Sequence, residues 1–433
     1  MEICEELILL AKEFKKKKAS LYLVGGYVRN HLLGLPSTDF DICSSLSEDK
    51  VLSICTKLKA KTSRINKSLG TILIQIGNYK FEYTRFRSES YSHNGTHTPV
   101  EIKFVEDINI DCLRRDFTIN SLYYDILENR LIDLVGGQKD LERKLIKTTQ
   151  DPSQTFSDDA LRILRAIRFS ATLDMDIEKT SLKALKTFSP LLKSISKERI
   201  LKELQAMVIA DLKYNYPNKR FLKTINKTQM LKYIFNYTLN NIKPFSKKDI
   251  INFYNLSTNS RLIGFYILIL CKHFLIPSTE SNIAYTINNL LGINGLKETN
   301  NSIITTEKLF KILTNLNSNT DTLNASINYL TLSTSEREII DAFINKKAKQ
   351  TLSDNIKHIK DSNLPLSIHQ LDICVQDLLD NNIERKYISK ILSTLYNQVL
   401  NMCVANEKDA LIKLAIQINE TFTEINKQIE EKL

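Results

Sequence analysis

The tightest constraint on this chain lies between Leu21 and Ser44, in the run LYLVGGYVRNHLLGLPSTDFDICS. Apolar Leu21 to Val24 reads as a short strand, Gly25 and Gly26 open a helix, and Gly34 to Thr38 form a turn. A second strand then carries Asp39 and Asp41. Residues two apart on a strand share a face. The two carboxylates therefore stand side by side, next to a glycine turn whose backbone a phosphate can approach. Arg29, one helical turn further on, reaches the same phosphates. Two carboxylates on one face are costly unless solvated or neutralised by a cation, so the pair suits a divalent metal held against a nucleoside triphosphate. Each part alone is weak. Glycine turns between strand and helix are mostly structural, and Asp-x-Asp is common at exposed strand ends.

The rest of the first 150 residues mixes strand and helix signals. A helix is expected over Glu48 to Ala60, and strands over Thr71 to Ile76 and Tyr79 to Phe86, joined by a Gly77-Asn78 hairpin turn. Glu82 lies on the second of these strands, flanked by Phe81 and Tyr83, and so faces away from them. If that strand lies beside Asp39 and Asp41, three carboxylates converge, a set suited to two Mg2+ ions. Ser88 to Thr98 is polar and lacks periodicity, which predicts a mobile loop. A helix follows, leading into RRDFTINSL from Arg114, and Leu131 to Val135 is a short strand ending at Gly136-Gly137. Arg115 and Asn120 suit a triphosphate and a ribose, with Asp116 holding the arginines; an ion-pair network at a helix end explains the same residues equally well.

Beyond about residue 150 the pattern becomes helical. Helices are expected over Ser157 to Ser170, Ser181 to Leu192 and Lys197 to Ala210, then onward to the end, with polar connectors at 255–260, 296–304 and 315–325. The last helix places Leu411, Ala415, Ile418, Phe422, Ile425 and Ile429 on a narrow seam, which favours packing on its own body over a dimer contact. The chain reads as α+β: a head with a small mixed sheet over 1–150, a helical neck with nucleotide-base recognition over 151–210, and a helical body and tail that binds RNA over 211–433.

The most discriminating helix is SDDALRILRAIRF, Ser157 to Phe169. Ser157 reads as its N-cap, with acids in the first turn. Asp159, Arg162 and Arg165 share a face, and Arg168 turns toward the side, because a three-residue step precesses by about 60° on a 3.6-residue helix. Charged faces of this kind are usually solvated ion-pair ladders worth about 0.3–0.5 kcal/mol per pair. The alternative is base readout. A carboxylate accepts from an exocyclic amino group, and an arginine donates to the neighbouring ring nitrogen. Asp159 with Arg162 would then accept cytosine and adenine and reject guanine and uracil.

Composition is compatible with both parts. The chain has 433 residues, 42% of them apolar, and a net charge of +11, which favours an anionic partner. Seven cysteines, an odd number with no CxxC pair, argue for a reducing compartment without disulfides or zinc, and the localisation expected is cytoplasmic. No signal peptide and no membrane span are expected.

Taken in order, these segments resemble the class II tRNA nucleotidyltransferase and bacterial poly(A) polymerase family. LVGGYVRNHLLG with DFD is similar to its metal- and triphosphate-binding motif, and RRDFTINSL to its ribose-recognising motif. LIDLVGGQKDLERKLIK resembles the hinge from head to neck, and DDALRILRAIRF the amino-acid template. ISKERILKEL, Ile195 to Leu204, is similar to the short motif supporting the neck. The resemblance covers residues 20 to 205. It implies Asp39 and Asp41 as metal ligands, with Gly26, Arg29 and Arg115 on triphosphate and ribose. It implies Asp159 and Arg162 on the incoming base, with Arg165 and Arg168 nearby. Two positions depart from the family: Asn30 stands where aspartate is usual, and Asp158 where glutamate is usual. The implied activity is addition of CCA to the tRNA 3′ end from CTP and ATP, with no stable protein partner. Ser90 to Lys103 resembles the intact loop of CCA-adding members, which argues against CC-only addition. A-only addition, poly(A) synthesis and a non-catalytic RNA-binding relative are the alternatives.

Overall fold

The computed structural model describes the chain apart from residues 2, 67, 217–218, 236–241, 274–279, 293–294 and 431–433, and the side chains of 280–282 and 425–430. Two compact units are present. The first comprises residues 1–254, 271–273 and 281–303, and the second 255–270, 274–280 and 304–433.

The first unit begins with α1 (Glu5–Lys16), β1 (Tyr22–Val24), α2 (Gly26–Leu32), β2 (Phe40–Ser44) and α3 (Glu48–Lys57). There follow β3 (Lys61–Asn66), β4 (Thr71–Ile76), β5 (Tyr79–Arg85), β6 (Arg87–Ser90), β7 (Glu101–Phe104), α4 (Ile108–Leu113), β8 (Leu122–Asp125) and β9 (Arg130–Asp133). Seven strands form one sheet in the order β3-β4-β5-β2-β1-β8-β9, while β6 and β7 make a separate ribbon. The β2–β5 pair is parallel and the other pairs are antiparallel, so the sheet is mixed as expected. Phe14 of α1 reaches Tyr83 of β5, with ring centroids 5.8 Å apart. A cluster of Val24, Cys43, Phe86, Cys112 and Tyr123 forms further core.

Three local expectations are corrected. β3 and β8 were not anticipated. β3 is a fully exposed edge strand with no apolar alternation to betray it, and β8 (LYYD) is buried at every position, which hides the period of two. Asp39 sits one residue before β2, with only Asp41 inside it. The segment 88–98 is not a free loop, because β6 continues to Ser90 and the residues after it dock on the neck.

After β9 come α5 (Gly137–Glu142) and β10 (Leu145–Ile146), and then α6 (Pro152–Asp158), α7 (Leu161–Leu173), β11 (Asp176–Ile177), α8 (Lys179–Phe188) and α9 (Lys197–Val208). The helix expected from Ser157 is two helices. Asp159 is extended, with φ −142° and ψ 100°. The break is held by the head: Gly95 N–H donates to the Ser157 carbonyl at 2.7 Å, and Ala160 N–H donates to the Gly95 carbonyl at 3.1 Å. Ser157 therefore ends α6 instead of capping α7. Ala160 is the N-cap residue of α7, and Asp159, one residue before it, accepts from Leu161 N–H through Oδ1 at 2.9 Å.

The described part of the second unit is helical. Ser257 and Ser260 hydroxyls both donate to Glu338 at 2.6 Å. The expected connector at 315–325 is mostly helix, since Asn300–Ser318 and Thr322–Leu330 leave three residues between them. In the final helix Leu411 and Ala415 are buried, and Ile418 and Phe422 pack against the cluster built on Leu378, Ile391 and Leu395. That half of the seam packs on its own unit; the side chains of Ile425 and Ile429 lie outside the described residues. Among the described residues no helix is long and apolar enough to cross a membrane.

Candidate active site

A cavity of about 430 Å³ opens in the first unit. Nine of the twelve residues singled out from the sequence line it: Gly25, Gly26, Arg29, Asp41, Arg115, Asn120, Asp159, Arg162 and Arg165. They come from four separate segments, brought together by the β2–β1–β8 pairing and by the docking of α7.

The phosphate end is built on the turn after β1. Gly25 has φ +74°, a conformation L side chains rarely adopt, and a Cβ there would lie 3.3 Å from Asp41 Oδ2. Arg29 is buried. Its Nε and NH2 donate to Asn30 Oδ1 at 3.1 and 2.8 Å, and its NH1 donates to Asn120 Oδ1 at 2.5 Å. These acceptors are neutral, and burial brings the guanidinium down to about 10. Asn30 in turn donates to the Pro36 carbonyl and the Tyr214 hydroxyl, so the amide at this position makes neutral hydrogen bonds throughout.

Asp41 and Glu82 are directly paired across the parallel β2–β5 register and so lie on one face. Burial pushes the Asp41 carboxyl up. The charge of Glu82, and less strongly that of Asp39, adds to this; Arg115 and Arg29 oppose it, leaving the group at about 6. A carboxylate destabilised by burial and by like charges is a fitting cation ligand. Asp39 and Asp41 therefore suit a divalent ion. Among the described residues no three His, Cys, Asp or Glu side chains form a metal-holding group, so the trio with Glu82 is not assembled as one. Neither Asp39 nor Glu82 lines the cavity itself.

Behind this wall sits a network the sequence did not disclose. Asp111 is wholly buried and accepts from Arg114 Nε at 2.8 Å, Arg115 NH2 at 3.0 Å and the Tyr123 hydroxyl at 2.8 Å. Burial alone would raise its pKa, but Arg115 and Arg114 outweigh that and hold it at about 2. Asp111 thus takes the role expected of Asp116. Asp116 instead accepts from Arg165 Nε and NH2, at 2.8 and 2.7 Å, and from Asn120 Nδ2 at 3.2 Å.

At the base end, Asp159 Oδ2 lies 3.6 Å from Arg162 Nε and 2.8 Å from His97 Nδ1. Arg162 NH2 donates to the Arg114 carbonyl at 2.8 Å, and the guanidinium lies 5.8 Å from the Tyr91 ring centroid. Arg168 is outside the cavity and pairs with Glu203 at 2.6 Å, tying α7 to α9. Arg87, Glu89, Tyr91 and His97 all line the cavity, although the sequence reading had placed 88–98 in a loop. The signal was present: Arg87, Glu89 and Tyr91 are spaced by two, as on one strand face. Glu89 bonds to both neighbours, accepting from Arg87 at 2.7 Å and Tyr91 at 2.6 Å.

The fold is a mixed-sheet head joined to a helical neck, and residues of both line the cavity. Residues 21–147 match the family described as the poly A polymerase head domain, and 174–240 match the probable RNA and SrmB-binding site of polymerase A. The chain is 34% identical over 226 residues to a CCA-adding enzyme of Staphylococcus epidermidis, covering 52% of this chain and 55% of that one. It is 37% identical over 207 residues to the CCA-adding enzyme of Streptococcus gordonii, covering 48% and 50%. The chain spans about half the length of the curated relatives it matches. Among solved structures, a Bacillus stearothermophilus CCA-adding enzyme in complex with CTP superposes with a TM-score of 0.61 at 21% identity, covering 98% of this chain and 100% of that one. A Thermotoga maritima CCA-adding enzyme complexed with tRNA gives 0.64 at 19%, covering 96% of each. At these identities the superpositions establish a shared fold.

Proposed function

We propose that the chain is a cytoplasmic nucleotidyltransferase that adds C, C and A to the 3′ end of tRNA. The carrying observation is one cavity that holds Gly25, Gly26 and Asp41 at one end and the Asp159–Arg162 pair at the other. The relatives it matches are CCA-adding enzymes, and all seven cysteines are free, in keeping with a reducing compartment.

The triphosphate of CTP or ATP enters over the Gly25–Gly26 turn, and Arg29 supplies its countercharge. Asn120 fixes Arg29 and contributes, with Arg115, to the ribose end. Asp159 accepts from the exocyclic amino group of cytosine or adenine, since a carboxylate oxygen has room for a second donor beside His97. Arg162 donates to the ring nitrogen. Arg165, clamped by Asp116, fixes the wall behind the base. The RNA 3′-hydroxyl attacks the α-phosphorus, the bond from that phosphorus to the bridging oxygen breaks, and pyrophosphate leaves. A divalent ion such as Mg2+, held by Asp39 and Asp41, would favour ionisation of the hydroxyl and offset charge on the leaving group.

The test uses three tRNA transcripts, ending before CCA, after C and after CC, each incubated with CTP, ATP or both, with the ends sequenced. Extension that stops at CCA is expected. Addition of A alone to the CC-ended transcript would replace the proposal with an A-adding specialist, and long oligo(A) on unrelated RNA with a poly(A) polymerase.

A further inference from the structure

Three guanidinium groups gather on one aromatic ring. Arg168, Arg29 and Arg165 lie 4.2, 5.2 and 5.3 Å from the centroid of Phe169. Like charges this close repel unless each has a counter-ion. Arg165 has Asp116 at 2.7 Å, and Arg168 has Glu203 at 2.6 Å. Arg29 differs. Among the described residues no carboxylate forms an ion pair with it, and its hydrogen bonds go to the neutral side chains of Asn30 and Asn120. Burial destabilises its charged form, so an incoming anion would relieve a real deficit.

The surroundings of Asn30 demand an amide. Its Oδ1 meets Arg29, which can only donate. Its Nδ2 donates to the Pro36 carbonyl at 3.1 Å and to the hydroxyl of Tyr214 at 2.8 Å, at the end of the short helix Ala210–Lys213. Both amide hydrogens are therefore engaged. An ionised carboxylate in this place would satisfy Arg29 but set an oxygen against the Pro36 carbonyl oxygen. Asn30 is buried and does not line the cavity, so it acts through Arg29, which does. A Cβ on Gly26 would lie 3.6 Å from Arg29 NH2, which places the guanidinium beside the glycine turn.

We propose that Asn30 is a positioning residue that holds Arg29 without neutralising it, so that a polyphosphate chain in the cavity becomes the missing counter-ion. This rests on the placement of the triphosphate over the Gly25–Gly26 turn. A hydrogen bond between charged partners is about twice as strong as one to a neutral group. An aspartate at position 30 would thus compete with phosphate for Arg29, whereas the amide competes weakly. The effect is blind to the base, because Asn30 and Arg29 act at the phosphate end, away from Asp159 and Arg162. It applies equally to the triphosphate that enters and to the pyrophosphate that leaves.

The experiment is titration calorimetry on the full chain in Mg2+ buffer, with inorganic tripolyphosphate, CTP and UTP as probes. Wild type is compared with Asn30→Asp and Asn30→Ala, and circular dichroism checks that helix content is kept. Wild type is expected to bind tripolyphosphate with a Kd on the order of 10–100 µM. Asn30→Asp is expected to weaken tripolyphosphate and CTP alike by about tenfold, and Asn30→Ala, which adds no charge, by less than about threefold. The ratio of CTP to UTP affinity is expected to stay within about twofold of wild type, a readout that a distorted cavity would move. Asn120→Asp places a carboxylate on the other side of Arg29; it is expected to show a similar loss and decides the matter should Asn30→Asp fail to fold. Unchanged tripolyphosphate affinity in the aspartate variants would overturn the proposal. So would an equal loss in Asn30→Ala, or a wild-type chain that does not bind tripolyphosphate below about 1 mM. A chain that binds tripolyphosphate as expected yet extends no tRNA transcript would keep this inference and lose the CCA-adding reading.

Discussion

Asp111→Asn tests whether the wall behind the cavity is held by charge or by shape. The wild-type carboxylate is wholly buried and accepts from Arg114, Arg115 and Tyr123. Its pKa, held at about 2 against a reference of 3.8, corresponds to about 2 kcal/mol of stability at neutral pH. Removing one partner of a buried pair typically costs about 3–5 kcal/mol, and asparagine keeps the shape and part of the hydrogen bonding. A loss of about 2–4 kcal/mol is therefore expected at pH 7. The sign with pH follows from the depressed pKa. The contribution is fully present above the unfolded value near 4 and is lost as pH falls through about 2, so the gap between wild type and variant stays constant from pH 7 to 5 and narrows below 4. Urea titrations followed by near-UV circular dichroism suit the chain, which has 17 tyrosines and no tryptophan. Hydrogen exchange on peptides covering 108–125 would localise the loss to the head. A difference under about 0.5 kcal/mol at pH 7, or one that persists undiminished below pH 3, would refute the electrostatic account.

The other expectations are briefer. Asp39→Ala with Asp41→Ala should abolish Mg2+-dependent nucleotide incorporation, and incorporation that survives would sink the metal assignment. Arg162→Ala should lose discrimination against UTP and GTP in single-nucleotide competition; unchanged selectivity would remove its role in base readout. Arg168→Ala should lower neck stability by about 1–2 kcal/mol through loss of the half-buried pair with Glu203, with base choice retained in the same competition assay. Gly137→Ala would put a Cβ 2.3 Å from the Thr118 carbonyl oxygen, so a thermal melt should show a loss of about 1–3 kcal/mol or more.

Much of the site was written in local sequence. The Gly25–Gly26 turn, Asp41 on a strand and Arg162 on a helix follow from short-range patterns: glycine where a backbone must be approached, a period of two on strands, and 3.6 on helices. Three kinds of information had no local signature. The pairing of Asp41 with Glu82 is a parallel register between strands about forty residues apart, which no turn specifies. The break between α6 and α7 exists because Gly95 supplies the backbone hydrogen bonds that a continuous helix would have made. Without the head, Ser157 to Phe169 reads as one helix.

The third concerns which carboxylate serves which arginine. Asp111 and Asp116 are similar neighbours of Arg114 and Arg115 in sequence and both are buried, and only the side chains that the fold brings to each distinguish them. Asp111 is enclosed with the head arginines, while Asp116 faces the neck and takes Arg165. The sequence by itself thus determined the α+β head, the helical remainder and the residue types of the cavity. The tertiary structure decided the partners, because the strength of an ion pair depends on the water excluded around it, and that exclusion is set by segments distant along the chain.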